Sequence, residues 1–301
     1  MQLTVGDLVT RKSYEHDILF RIANVQGEVA VLHGEFVRLQ ADAKIADLTK
    51  SEGLDLKERQ RRSKKKEDYS YRLFRQDYQL LEERREFDVT DKYTKEVSYF
   101  RLPTKVLHLD GDENYLKKCI ELYKKVGLMV HGLYIKERDM PHEIGPLIER
   151  IQPDIVVLTG HDAFSKSKGD KKDIRAYRNS KYFQEAVREA RKVAPSLDGL
   201  VIFAGACQSH FESLIKAGAN FASSPKRVNI HALDPVYIVS KICFTSFMDR
   251  VRLVDVLRNT LSNEGGLGGV ETRGLLRTGM PMQPVSELIS FQKEEQEEDG
   301  T

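Results

Sequence analysis

Residues 154–162 read DIVVLTGHD, and residues 200–210 read LVIFAGACQSH. Each is an apolar run of strand length, closed by small residues and then by a reactive side chain, His161 in the first and Cys207 in the second. Runs such as IVVL and LVIF show no polar alternation. A strand that is apolar at every position is buried on both faces, which requires a parallel sheet covered by helices on each side. The flanking sequence keeps the same rhythm of apolar strand and amphipathic helix. Strands are expected at 105–109, 128–135, 154–159 and 200–204, with a fifth near 220–222. Helices are expected between them at 113–126, 142–151, 180–193 and 209–217, and two more at 235–247 and 251–261. In 180–193, Phe183, Ala186, Val187, Ala190 and Val193 recur at helical spacing as a core-facing stripe. The fold class is α/β, a parallel sheet flanked by helices.

Working outward, residues 3–48 change period. Short alternating strands at 3–9, 19–25, 28–32 and 36–39 are punctuated by Gly6-Asp7, Gln26-Gly27 and Gly34, which predicts a small SH3-like β-barrel over 1–50. As a docking module or structural appendage it assigns no chemistry to His16 or His33. Residues 51–100 form a charged linker with a helix, opening on DLKERQRRSKKKE. The basic run from Arg59 to Lys66 is read as a solvated face, and for an enzyme that cuts after basic residues it is also a candidate self-cleavage site. The α/β domain occupies 101–285. Its Gly-rich end, GGLGGVETRGLLRTGMP, lacks phosphate-loop spacing and is read as a mobile loop. An acidic tail over 286–301 is read as disordered.

Composition narrows the function classes. The 301 residues carry 48 Lys plus Arg against 46 Asp plus Glu, a balance that gives no global reason to expect nucleic acid or an anionic membrane as partner. The amino terminus MQLTVGDLVTRKSY lacks the apolar stretch of a signal peptide, and no window approaches the roughly 20 apolar residues of a membrane span. Three cysteines without CxxC spacing speak against a disulfide framework and against zinc. A cytosolic protein that needs no metal or cofactor is expected.

In a parallel sheet, function gathers at the carboxyl ends of the strands. Those ends read His108-Leu109-Asp110-Gly111-Asp112, Thr159-Gly160-His161-Asp162 and Gly205-Ala206-Cys207-Gln208-Ser209-His210. A cysteine that follows small residues and opens a helix gains thiolate character from the helix dipole, whereas Cys119 and Cys243 fall within helical stretches as buried structural thiols. Cys207 is the expected nucleophile and His161 the expected general base. Amides around Gly160 and Gly205 are the expected oxyanion donors. His210, one turn beyond Cys207, is the weaker candidate base.

An apolar block ending in His beside Gly, followed by one ending in Ala-Cys, resembles the caspase, legumain, gingipain and clostripain group of cysteine peptidases. The 46 residues from His161 to Cys207 compare with the roughly 50 of caspases. The chain departs from that group in reading Gly160-His161-Asp162 rather than His-Gly, and in placing Gln208 rather than Gly after Cys207. A narrower resemblance runs nearly full length, through VGDLVTRKSYEHDILFRI, VLHGEFVRL, HLDGDENYL, PDIVVLTGHDAF, FAGACQSHFESLIKAGANFASSPKRVNIHALDPV and GLLRTGMP. These stretches resemble the YabG family of sporulation-specific peptidases in spore-forming Firmicutes. That resemblance implies a caspase-hemoglobinase-like fold and a mother-cell enzyme, cytoplasmic or associated with the spore coat, that processes spore coat and germination proteins by cutting after Arg. In the broader group the pocket that reads the side chain is built from the loop after the first strand and the segment after the fifth. Those map to Asp110 and Asp112, and to Ser223, Ser224 and Asp234.

Two rivals stand beside this reading. A glutamine-amidotransferase-like Cys hydrolase would use a His that follows the Cys, here His231. A non-catalytic coat scaffold or nucleic-acid-binding protein would use the barrel and the basic run.

Overall fold

A computed structural model describes residues 3–90, 100–262 and 265–279. The expected acidic tail lies outside the described residues. At the amino-terminal end, β1 (Leu8–Arg11), β2 (Phe20–Gln26), β3 (Val29–Gly34), β4 (Gln40–Lys44) and β5 (Leu48–Lys50) form an antiparallel sheet in the order β4-β3-β2-β1-β5. Alternate residues such as Phe20, Ile22, Ala30 and Leu32 point to one buried face, as a period of two requires. Residues 36–39, read from sequence as a strand of this unit, belong to none of the five. They form the connection between β3 and β4, and their extended backbone pairs elsewhere, as described below.

Helix α1 (Gly53–Thr90) follows, and contains the basic run that was expected to be a linker. One face is buried through Ser63, Ser70 and Phe74, while most of the charged side chains point outward. A two-stranded ribbon pairs β6 (Phe100–Leu102) with the last strand, Arg277–Gly279.

The central sheet comprises β7 (Val106–Asp110), β8 (Val130–Tyr134), β9 (Ile155–Thr159), β10 (Val201–Ala204) and β11 (Phe221–Ser223), all parallel. The helices α2 (Glu113–Val126), α3 (Met140–Ile151), α4 (Ser180–Val193) and α5 (Phe211–Ala217) alternate with them. Helix α6 (Asp234–Phe244) then leads through β12 (Arg250–Val251) to α7 (Leu253–Leu257). Along each strand successive side chains enter opposite cores. Val106, Ile155, Val157, Val201 and Phe203 meet α2, α6 and Phe74 of α1, while Leu107, Leu109, Val156, Leu158 and Ile202 meet α3 and α4. That double burial is the physical cause of the unbroken apolar runs. The stripe on α4 is buried at Phe183, Ala186, Val187 and Ala190, but Val193, at the last helical position, is 38 % exposed.

The Gly-rich stretch is not a loop in its first part. Residues Leu267–Gly269 form β13, an antiparallel sixth strand beside β11, followed by β14 (Thr272–Arg273) and by β15, the Arg277–Gly279 strand already paired with β6. Glycine is needed at this edge, because a Cβ on Gly268 would run into the Phe211 ring and one on Gly269 into the Asn220 carbonyl. The sheet order is β13-β11-β10-β9-β7-β8. The chain reverses its direction of travel across the sheet between β7 and β9, and in an open sheet that switch is where loops part to form a crevice. No helix among the described residues is long and apolar enough to cross a membrane.

Candidate active site

The carboxyl ends of β7, β9 and β10 bring Asp110, His161 and Cys207 to the switch point, and the amino-terminal sheet lies over them. Cys207 is fully buried, in one apolar cluster with Phe20, Leu32, Leu39 and Ile230. Its Sγ accepts the Ile230 amide at 3.1 Å. Gly205 turns the chain here at φ +107°, a conformation open to glycine, and an added Cβ would press on Leu214. Gln208 takes φ +55° where the caspase-like pattern has glycine. Its amide is held by the Val228 carbonyl and its side chain by the Phe164 amide and Asn229, contacts that offset the backbone strain. Helix α5 starts only at Phe211, four residues on. Cys207 thus does not open a helix, and burial pushes its thiol well above the ordinary range despite the Ile230 amide and the nearby Arg38 charge.

His161 is 1 % exposed, stacked on His33 with ring centroids 3.8 Å apart. Its Nε2 has no hydrogen-bond partner and lies 3.5 Å from Asp112 Oδ2. Burial, reinforced by His33, holds the imidazole well below its usual range, so in the closed site it is neutral. Asp112 goes the other way. Burial would raise its carboxyl, but His33, the His161 ring, the Tyr115 amide and Arg21 together hold it well below the usual carboxylate range. Its Oδ1 also caps α2 through the amides of Asn114 and Tyr115.

Glu137, in the loop after β8, was not anticipated from sequence. Its carboxylate accepts the His161 amide at 2.8 Å and lies 3.9 Å from Nδ1 of the same ring. Gly111 and Gly160 make room for it, since a Cβ at either would overlap the carboxylate. Burial pushes Glu137 up to about 7, against hydrogen bonds from the amides of His161 and Glu137 itself.

A buried arginine occupies the centre of this cluster. Arg38, from the β3–β4 connection, has its guanidinium against Asp110, with Nη1 2.9 Å from Oδ2, and donates from Nε and Nη2 to the Ala232 carbonyl at 3.1 and 2.7 Å. Its own carbonyl accepts from the amides of Cys207 at 3.2 Å and Asp162 at 3.3 Å. Of the carboxylates expected to read an arginine, Asp110 is the one that meets a guanidinium in this way. Asp112 holds Arg21 only at 3.4 Å and is engaged by His33 and α2. Asp234 is bound to the amides of His231 and Leu261 and to the Ser262 hydroxyl. Ser224 donates to the Val228 carbonyl, and the buried Ser223 hydroxyl has no partner. Gly205, an expected oxyanion donor, gives its amide to the Leu158 carbonyl, and Gly160 serves to admit Glu137. The amides that converge on one carbonyl are those of Cys207 and of Asp162, the residue after His161.

The rival bases point elsewhere. His231 Nε2 lies 3.5 Å from Glu67 of α1, and His210 is engaged by the Lys172 carbonyl and the Ser213 amide. Among the described residues, two groups have ligand atoms close enough to hold a cation: His33, Asp112 and His161, and His108, Asp110 and Cys119. Arg21 and Arg38 already neutralise the carboxylate in each.

Fold and site together define an α/β protein in which a buried thiol, an imidazole and carboxylates gather at the carboxyl ends of a mostly parallel sheet. The chain belongs to the YabG peptidase family: the family model described as YabG peptidase U57 matches residues 4–281. It is 55 % identical over 286 residues to the sporulation-specific protease YabG of Bacillus subtilis (strain 168), covering 93 % of this chain and 99 % of that protein. No solved structure matches it. By that membership the chain is a peptidase of a sporulation-specific family, and its substrates are proteins.

Proposed function

We propose that the chain is a cysteine endopeptidase of the caspase-like group that cuts after arginine, with Cys207 as nucleophile, His161 as general base and Asp110 as the carboxylate that reads the arginine. The observation that carries this reading is Arg38. One residue places its guanidinium on a fully buried aspartate and its carbonyl between two backbone amides, those of Cys207 and of the residue following His161. A carbonyl held there develops its negative charge against fixed donors, the arrangement that stabilises an acyl-transfer intermediate.

In the reaction, neutral His161 takes the Cys207 proton and the sulfur attacks the carbonyl carbon. The C–N bond breaks, His161 returns the proton to the leaving amine, and water activated by His161 hydrolyses the thioester. The buried acceptor pair of Asp110 and the Ala232 carbonyl selects a planar, multidentate cation, which favours Arg over Lys. On the family resemblance, the substrates are spore coat and germination proteins, met in the mother cell or at the coat. Residues 1–50, as an SH3-like barrel, and 51–100 then serve the peptidase unit at 101–285. Self-cleavage near Arg59 to Lys66 requires local unwinding of α1, since a peptidase cleft binds extended backbone.

Incubating wild type and Cys207→Ala with spore-coat extract, followed by mapping of new termini, tests the reading. Ends after Arg in the wild type alone are expected, and full activity in Cys207→Ala would sink it. Intact mass across Arg59 to Lys66 tests the self-cleavage.

A further inference from the structure

Residues 36–39 belong to no strand of the amino-terminal sheet, which they meet through the Leu39 carbonyl, acceptor of the Gly34 amide at 2.9 Å, and they are otherwise gripped by the loops at the carboxyl ends of the central sheet. The Arg38 amide donates to the Ile230 carbonyl at 3.1 Å and the Ala232 amide to the Phe36 carbonyl at 2.9 Å, and Val37 bridges His231 in antiparallel fashion. Past Arg38, Leu39 bridges Asp162 in parallel, and the Gln40 amide donates to the Asp162 carbonyl at 3.2 Å. The Arg38 carbonyl and guanidinium occupy the two places a bound arginyl peptide would need. The Tyr115 hydroxyl binds the carbonyls of Gly34 and Val37, fastening the connection from behind.

We propose that residues 36–39 are a built-in substrate mimic, lying in the cleft in the register an external peptide would take and keeping the enzyme latent until they withdraw. The inference rests on the assignment of Cys207 and His161 above. Three features make the segment a stopper. The Leu39 amide, which would be the leaving group, is tied back to the Val37 carbonyl at 2.8 Å. Leu39 is buried in the apolar cluster that also covers Cys207, and β4 begins at the next residue. The far side of the Arg38–Leu39 bond therefore cannot diffuse away. Because the mimic leaves Cys207 with no exposed surface, any external peptide or reagent must wait for the connection to lift.

Two readouts on the full chain test this. Wild type and Arg38→Ala are treated with iodoacetamide, labelling of Cys207 is followed by mass spectrometry, and hydrolysis of a fluorogenic peptide with Arg before the cut is measured alongside. Reactivity scales with the open fraction, so Arg38→Ala is expected to label Cys207 at least about tenfold faster and to hydrolyse the peptide correspondingly faster. A cooperatively folded Arg38→Ala that labels at the wild-type rate overturns the mimic. Removing Arg38 strands Asp110 in the interior, so amide exchange on the wild type supplies a readout that needs no variant. The amides of Arg38, Asp162, Cys207 and Ala232 are expected to exchange as one unit, at the rate at which Cys207 is alkylated. Independent exchange, with Cys207 alkylated as fast as an unhindered thiol, overturns the mimic too. Faster labelling of Arg38→Ala without peptide hydrolysis defeats the peptidase assignment and the mimic with it, whereas wild-type labelling with hydrolysis retained overturns the mimic alone, which separates the two.

Discussion

Glu137→Gln is the perturbation whose sign and size the structure determines most directly. The side chain is 14 % exposed, and burial lifts its carboxyl from 4.5 to about 7. In the unfolded chain the group ionises near 4.5, while in the folded chain it keeps its proton up to about 7. A raised carboxyl thus favours the folded state fully below pH 4.5, and that contribution is lost as pH climbs from 4.5 to about 7. At about 1.4 kcal/mol per pH unit, the cost of holding Glu137 ionised above pH 7 is about 3 kcal/mol. Glutamine carries no charge at any pH and keeps an oxygen to accept the His161 amide. The variant is therefore expected to be more stable than wild type by about 3 kcal/mol at pH 8, or roughly 5 to 10 °C in melting temperature, and nearly equal to it at pH 4.5. Thermal melts at half-unit steps from pH 4.5 to 8 measure the difference directly. A difference that is flat with pH, or that grows toward acid, refutes the reasoning. Ionised Glu137 also stands 3.9 Å from His161 Nδ1, so the wild-type activity profile should carry a limb near pH 7 that Glu137→Gln lacks.

Other outcomes follow from single contacts. Asp110→Asn leaves Arg38 buried without its counter-charge and is expected to lose about 3 to 5 kcal/mol in denaturant unfolding, while cleavage after Arg falls toward that after Leu. Asp112→Asn keeps an α2 cap but loses the charge facing His33 and Arg21. Because the Asp112 carboxyl is depressed, wild type should exceed the variant in stability above pH 4 and lose that margin as pH falls below it, as acid titration followed by circular dichroism would show. Phe183→Ala empties the fully buried centre of the α4 stripe and should cost about 3 to 5 kcal/mol in unfolding, with the chemistry intact in whatever remains folded. Gly269→Ala drives a methyl into the Asn220 carbonyl and should raise amide exchange along β13, leaving β7 and β9 protected.

Where the determinant is local, the chain is easy to read. The unbroken IVVL and LVIF runs locate β9 and β10 because a strand buried on two faces has no polar position to show. The bounds of α2 and α4 coincide with the apolar periodicity. Cys207 and His161 could be singled out because reactive residues at strand ends follow from covalent sequence alone. Residues 36–39 alternate as any edge strand would, and nothing in their sequence says that their partners are Ile230 and Ala232, nearly two hundred positions away. The Gly-rich end resembles a loop until Phe211 and the Asn220 carbonyl are found pressed against it, leaving room for hydrogen alone. Asp110, Asp112 and Asp234 are equivalent as sequence. They differ only in what surrounds them: a guanidinium for the first, imidazoles and a helix start for the second, backbone amides for the third. Glu137 has no motif, and two glycines far from it in sequence make its place. Periodicity and residue type thus determined the α/β class and put His161 and Cys207 forward as candidates. Which amides meet the Arg38 carbonyl, which carboxylate meets its guanidinium and where residues 36–39 lie were decided by tertiary structure, because each depends on atoms brought together by chain reversals at the sheet switch point that local sequence does not encode.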